Sequence, residues 1–355
     1  MNRGGINVGA DVYALLLESS PKIVDLNKVF IKAGLPELIT SLPKKSRVGV
    51  KVLLPNTANI NYVPPTLIRN VLGFVNSLDH PAVPIDTLDV LDDGLETLAR
   101  VNEVGYSFQT LQTPFMIADN ITGYNFFEVF VQGDYLPRIE LGTEFKDVQM
   151  LICLTHVTGD PFYGYFGSIS HISSRSVTKE FKKKKLLANL RLEIDERRCN
   201  GCNLCSKICP VGAINTDALK IDANTCIKCG YCIILCPTRA IMLEESSRKM
   251  FIGKSLDVVK GIKRVFDERM FFVNILMNVI PYPDNMPFSS KPIVEDIGIL
   301  GSKDPVAVDK ASLDLIIKQC KYNAFEDLYG VDPNEMLVLA ERDKIGRTKY
   351  NLVEV

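Results

Sequence analysis

Two cysteine runs of one pattern constrain this chain more than any other feature. Cys199, Cys202, Cys205 and Cys209-Pro210 recur 27 residues later as Cys226, Cys229, Cys232 and Cys236-Pro237. The spacing C-x2-C-x2-C-x3-C-P is the bacterial arrangement for [4Fe–4S] clusters, in which each fourth cysteine serves the other run's cluster. The expected ligand sets are therefore Cys199, Cys202, Cys205 and Cys236 for one cluster, and Cys226, Cys229, Cys232 and Cys209 for the other. Three thiolates two residues apart wrap one face of a cubane as a loop. The Cys-Pro turn after a short helical stretch sends the fourth across. Gly201 and Gly230 supply the backbone freedom such a loop needs. The alternative is two zinc sites of four cysteines each, but zinc usually takes C-x2-C knuckles set well apart.

A chain of 355 residues holds about two domains on the usual length scale. Its 46% hydrophobic and 23% charged residues are ordinary for a globular protein, and a net charge of −1 argues against a general nucleic-acid binder. No apolar run reaches the roughly 18 residues of a membrane span. The opening Met1-Asn2-Arg3-Gly4-Gly5 does not read as a signal peptide. Eight thiolates intended for iron fit a reducing compartment, so the cytoplasm is expected. Cys153 and Cys320 read as core fillers.

Outside the cysteine runs, strands alternate with helices. Val48–Leu54 is nearly continuous apolar sequence, as in a strand covered on both faces. Pro65 opens a helix with apolar residues three and four apart, through Leu67, Ile68, Val71, Leu72 and Val75. Short strands follow near 83–85 and 115–118, a β-hairpin over 126–141, and a buried strand over 148–154. After the cysteines come a helix near 255–266, strands at 271–277 and 297–300, and a helix from Asp304-Pro305 to about Cys320. A helix from Asp332-Pro333 and a final strand at 350–355 close the chain. This alternation indicates an α/β fold with a largely parallel sheet and helices on both faces. The late strands are too few for a sheet of their own. Residues 1–195 and 247–355 are therefore expected to form one α/β domain, interrupted by an inserted two-cluster ferredoxin-like module at 196–246.

Several segments together resemble the domain-of-unknown-function family 362. They are Val48-Gly49-Val50-Lys51, Asp86-Thr87, Ile117-Ala118-Asp119 with Gly123, Leu154-Thr155-His156, the two cysteine runs, and Asp296 to Asp309. The resemblance implies an iron–sulfur protein and assigns no reaction. Members carry a G-G-x-x-K-N segment after the Thr-His, where this chain has Gly164 to His171 without the lysine. Many also carry Cys-Asp-Cys after the late strand, where Asn278 to Asp284 stands here. The His-to-glycine arrangement is also similar to that of the nickel-pincer lactate racemases. Their cofactor is held by a lysine that Ser170 does not replace.

Ligands of open α/β sheets bind beyond the carboxyl ends of the strands. The residues there, Asn56, Asp86, Thr87, Asp119, Asn120, Thr155 and His156, form a polar rim suited to a small polar substrate. His156 is the candidate proton carrier, since imidazole titrates near neutral pH. Lys51, inside an apolar strand, must be paired or have a shifted pKa, with Asp86 and Asp119 as possible partners, and these three join His156 as the candidate catalytic residues. Lys182-Lys183-Lys184-Lys185 reads as a solvated face, or as a docking patch for an acidic electron carrier such as a ferredoxin or flavodoxin. No G-x-G-x-x-G follows the first strand, so no bound nicotinamide is expected. The functional expectation is an oxidoreductase that relays single electrons through two [4Fe–4S] clusters. Its alternatives are an electron-transfer adaptor and an iron–sulfur redox sensor.

Overall fold

The computed structural model describes residues 9–17 and 25–355, so the Met1–Gly5 segment lies outside the described residues. The apolar runs do become strands. The central sheet uses β1 (Ala10–Leu16), β2 (Val48–Lys51), β3 (Ala82–Asp86), β4 (Met116–Ile117), β5 (Met150–His156), β6 (Met270–Leu276), β7 (Gly298–Ser302) and β8 (Tyr350–Glu354). Their order across the sheet is β8-β1-β7-β6-β5-β2-β3-β4. Only β7 runs against its neighbours, β1 and β6. All other pairings are parallel.

Every residue of β5 and β6 is buried. Alternate side chains leave a pleated strand on opposite faces. Thus Met150, Ile152 and Leu154 enter one core, while Leu151 and Cys153 enter the other. β6 repeats this, with Phe271, Val273 and Ile275 on the first face and Met270, Phe272 and Leu276 on the second. That is why these segments read as unbroken apolar runs. Helix α1 (Pro65–Ser77) covers the first face with Ile68, Val71, Leu72 and Val75. Helices α2 (Ser168–Arg175), α3 (Glu245–Phe266) and α4 (Pro305–Cys320) cover the second.

Strand β5 pairs with β6, so the sheet is continuous across the whole segment from 157 to 269. Within that segment, residues 192–243 form two similar halves. Leu192–Ile194 pairs antiparallel with Ile241–Leu243, and Ile214–Asn215 with Lys220–Ile221. Short helices Leu204–Ile208 and Tyr231–Leu235 pack together, offset by the same 27 residues as the cysteines. The repeat extends to the backbone. Positive φ occurs at Gly201 (69°) and Lys228 (59°), at Asn203 (59°) and Gly230 (83°), and at Gly212 (62°) and Arg239 (53°).

Boundaries differ in places from the sequence expectation. The strand from Val48 ends at Lys51, where the chain leaves the sheet. The helix expected near 255 begins at Glu245. β1 was not read from sequence at all.

Candidate functional site

The site grows from the ends of the parallel strands. Lys51 is the last residue of β2 and Asp86 the last of β3, and the register sets those ends side by side. The Lys51 ammonium, fully buried, donates to Asp86 Oδ1 at 2.8 Å. Arg175, the last residue of α2, donates from Nη2 to Asp86 Oδ2 at 2.9 Å and to the Thr87 carbonyl at 2.8 Å. Its Nη1 lies 3.0 Å from Asp89 Oδ2. Asp86 also accepts from the backbone N–H groups of Leu54 and Thr87. Burial by itself would push the Asp86 carboxyl up. The Arg175 and Lys51 charges outweigh it and hold that carboxyl far below the usual carboxylate range. Burial lowers Lys51 despite the opposing pull of Asp86.

Lys182 departs from the expectation of a wholly solvated lysine run. It is buried, donates to Thr87 Oγ1 at 3.0 Å and to the Leu88 carbonyl, and burial lowers it to about 8. Lys183, Lys184 and Lys185 remain exposed. Asp119 is buried and accepts from the N–H groups of Leu88 and Lys179, each at 2.9 Å, so it joins two loops. It makes no ion pair with Lys51.

His156, at the end of β5, is committed on both ring nitrogens: Nδ1 lies 2.6 Å from Asp284 Oδ1 and Nε2 lies 2.8 Å from the Met277 carbonyl. Burial opposes a charge on the ring, but Asp284 prevails and raises the imidazole above its ordinary value. A raised histidine contributes its full stability below the unfolded value of about 6.5 and loses it as pH rises through the folded one. Removing this partner strands Asp284 in the interior. His156→Ala is therefore expected to cost about 3–5 kcal/mol at about pH 6 and clearly less at about pH 10, read from urea midpoints. An equal loss at both pH values would refute the paired imidazolium.

Beyond these strand ends lies a cavity of about 250 Å³. Asn56, Asp89, Asp92, Arg175 and Lys182 line one side. Asp160, Phe162, Phe166 and Phe251 line another, and Pro283, Asn285 and Met286 come from the loop after β6. Lys228, Cys229 and Tyr231 of the second cysteine run also face it. Two carboxylates on its wall are paired, Asp92 with Arg100 at 2.8 Å and Asp89 with Arg175. Of the expected rim residues, only Asn56 lines this cavity. Asp86 acts behind Arg175, and His156 sits behind Pro283 and Asn285 through Asp284.

The cysteines fall into two neighbourhoods. A small separate cavity is lined by Cys199, Cys202, Cys205 and Cys236. Burial raises Cys205, and Cys236 and Cys202 are the thiols close enough to add to that rise. Burial pushes Cys229 up to about 11, with Cys226 and Cys209 adding to it. Cys232 is raised by burial and then, in falling order, by Cys229, Cys226, Cys209 and, from the other group, Cys205. Matching amides point at the last sulfur of each run: Ala213 N–H to Cys209 Sγ at 3.3 Å and Ala240 N–H to Cys236 Sγ at 3.2 Å. Among the described residues, no three His, Cys, Asp or Glu side chains close around a single-ion position. None of their helices is long and apolar enough to cross a membrane.

Residues 48–314 match the family model described as "Domain of unknown function (DUF362)". The chain belongs to this family. No curated protein matches it. Among solved structures, the lactate racemase apoprotein from Thermoanaerobacterium thermosaccharolyticum is similar at 12% identity with a TM-score of 0.40, over 88% of this chain and 57% of that one. The chain thus spans little more than half of that structure, and a likeness at this level carries no argument.

In this DUF362 protein, Arg175, Lys182, Asp89 and Asp160 escaped the sequence reading. Arg175 and Lys182 lie on helical segments, distant in sequence from the strand ends they serve. Asp89 lies only three residues past β3, so a wider window at the strand end would have found it. Asp160 carries an Asp-Pro turn signal but no mark of its position on the cavity.

Proposed function

We propose that this DUF362 protein is an iron–sulfur oxidoreductase that passes single electrons into the cavity beside Cys229. Cys199, Cys202, Cys205 and Cys236 would hold one [4Fe–4S] cluster, and Cys226, Cys229, Cys232 and Cys209 the other. The donor set supports this: the thiols group by the crossed pattern, and an amide faces each crossing sulfur, as suits a thiolate that must hold negative charge. A cubane spreads its thiolates over four irons and so needs a wider box than a single zinc ion. When bound, the clusters supply reversible one-electron storage. Residues 196–246 would then be a ferredoxin-like insertion into the α/β domain formed by 1–195 and 247–355.

One observation carries the reading. Cys229 belongs to a cysteine set and also to the wall of the mixed polar and apolar cavity. A small molecule there would sit beside one cluster, with Phe162, Tyr231 and Met286 against its apolar part. Arg175 and Lys182 would orient its polar end. The first set is more exposed, with Cys202 at the surface, which suits it to receive electrons from a carrier protein such as a ferredoxin or flavodoxin.

Anaerobic reconstitution should give about eight irons and eight sulfides per chain, with interacting low-potential EPR signals on reduction. Stoichiometric zinc without iron would overturn the proposal. Iron with no small-molecule binding in the cavity, but with a redox-dependent protein complex, would overturn the enzyme in favour of an adaptor.

A further inference from the structure

The cavity wall holds one buried carboxylate that the fold leaves without an ion pair; the exposed Asp93 and Glu96 of the same lining also have none among the described residues. Asp160 is buried, and its Oδ1 accepts from the N–H groups of Phe162 at 2.7 Å and Tyr163 at 2.8 Å. Among the described residues no cation lies within ion-pair distance of it. Asp89 and Asp92, across the cavity, each have an arginine. The segment following Asp160 also touches the second cysteine run. A Cβ on Gly230, the residue after Cys229, would lie 3.0 Å from Pro161 Cγ and 3.3 Å from Phe162 Cζ. The left-handed backbone at Gly230 (φ 83°) allows that approach. A carboxyl group and a cluster thiolate thus face one cavity from adjoining segments.

We propose that Asp160 is the proton donor of this cavity, taking up a proton as an electron reaches the Cys226–Cys229–Cys232 side and delivering it to the bound acceptor. This rests on the oxidoreductase reading above and adds the proton path to it. Reducing a small organic acceptor needs protons as well as electrons, because an added electron in a buried site must be neutralised. Each step adds one electron and one proton to the acceptor. The electron comes through the clusters from a low-potential one-electron carrier. The O–H bond of Asp160 breaks as the new bond to the acceptor forms, and water restores the proton.

Burial pushes the Asp160 carboxyl up to about 7, against the two backbone N–H groups that favour its charged form. That value lies where a general acid works best. Asp89 across the cavity favours the protonated form as well. The other titratable or charged groups facing this region are Tyr163 on the same turn, Tyr329 from the helix Ala324–Tyr329, Arg175, Lys182, Asp92, Asp93, Glu96 and Arg100 across the cavity, and Lys228, Cys229 and Tyr231 from the cysteine run. Arg175 keeps its charge across the working pH range. The tyrosines are all pushed upward by burial and stay neutral.

The test uses the reconstituted full chain and Asp160→Asn, whose amide oxygen can keep accepting from Phe162 and Tyr163. Two readouts are taken: the midpoint potential of each cluster against pH, and the reduced-minus-oxidised infrared spectrum in light and heavy water. The wild-type protein should show one pH-dependent potential between about pH 6 and 8, and a carboxyl band on reduction that shifts in heavy water. Both should vanish in Asp160→Asn with iron content unchanged. The same slope and band in the variant would overturn the role of Asp160 and leave the oxidoreductase reading standing. Wild-type protein that takes up no iron would instead overturn the oxidoreductase reading. If Asp160→Asn loses iron, Asp160→Ser, which also keeps an acceptor oxygen, replaces it in the same comparison.

Discussion

Replacing Cys202 and Cys236 together with serine is expected to remove one cluster and spare the other, leaving about four of about eight irons. Replacing Cys202 and Cys209 together is expected to remove both. The two double variants lose the same number of thiols, so the contrast reads connectivity rather than ligand count. It follows from the crossed grouping, in which Cys236 lies with Cys199, Cys202 and Cys205, and Cys209 with Cys226, Cys229 and Cys232. If each run closed on its own fourth cysteine, the results would be exchanged. Iron and sulfide quantitation after anaerobic reconstitution decides it, and EPR of the survivor should show an isolated rather than an interacting signal. Equal iron loss in both variants would sink the two-set arrangement.

The second large effect concerns stability. Asp86→Ala removes the shared partner of Lys51 and Arg175, both buried, and leaves two cations without their carboxylate. Breaking a single buried pair costs about 3–5 kcal/mol, and two cations depend on this one, so a loss at or above that range is expected in urea unfolding. Arg175 keeps a second partner in Asp89, whereas Lys51 keeps no other carboxylate among the described residues. The double variant Lys51→Met, Asp86→Ala should therefore recover a substantial share of the loss. The pH behaviour has a definite sign. Asp86 is depressed in the folded state, so its contribution is present above the unfolded value of about 3.9 and is lost only as pH falls below it. A flat stability profile from about pH 5 to 8 is expected from this group. A loss under about 1 kcal/mol for Asp86→Ala would mean that the network is not held by its charges.

Much of this architecture is legible in the residues, and the exceptions have identifiable causes. Asp304 and Pro305 specify a helix start so fully that α4 begins and ends where read: the carboxylate accepts from Val306 and Ala307, and the helix closes at Cys320. The continuous apolar runs of β5 and β6 announce strands covered on both sides. β1 was missed because Asp11-Val12-Tyr13-Ala14-Leu15-Leu16 has residues that serve a helix or a strand equally well. Only its place between β7 and β8 decides the matter. The early start of α3 was missed because its first turns, Glu245 to Lys249, are all polar residues without an apolar period. At the site, Lys51 and Asp86 were found together because a lysine in a buried strand must have a partner. Lys182 was not, since a run of four lysines has no residue-level mark of which one turns inward. His156 was singled out for its position. Its two hydrogen bonds tie β5 to Asp284 and Met277, so it supports the loop behind the cavity.

The order of strands carries a further consequence. β1, from the first residues described, lies between β7 and β8, which come from the last sixty residues, and Ala10 to Ala14 pair in register with Tyr350 to Glu354. β5 likewise waits for β6, more than a hundred residues downstream. During synthesis the half-sheet of β2, β3, β4 and β5 can assemble early, but its β5 edge stays open until the cysteine segment has left the ribosome. Strand β1 has no mate until the chain is nearly complete. Such distant pairing is slow and exposes sheet edges while it lasts. Both cysteine runs are therefore synthesised before the sheet can close, and a product lacking β8 would carry an uncovered edge at β1.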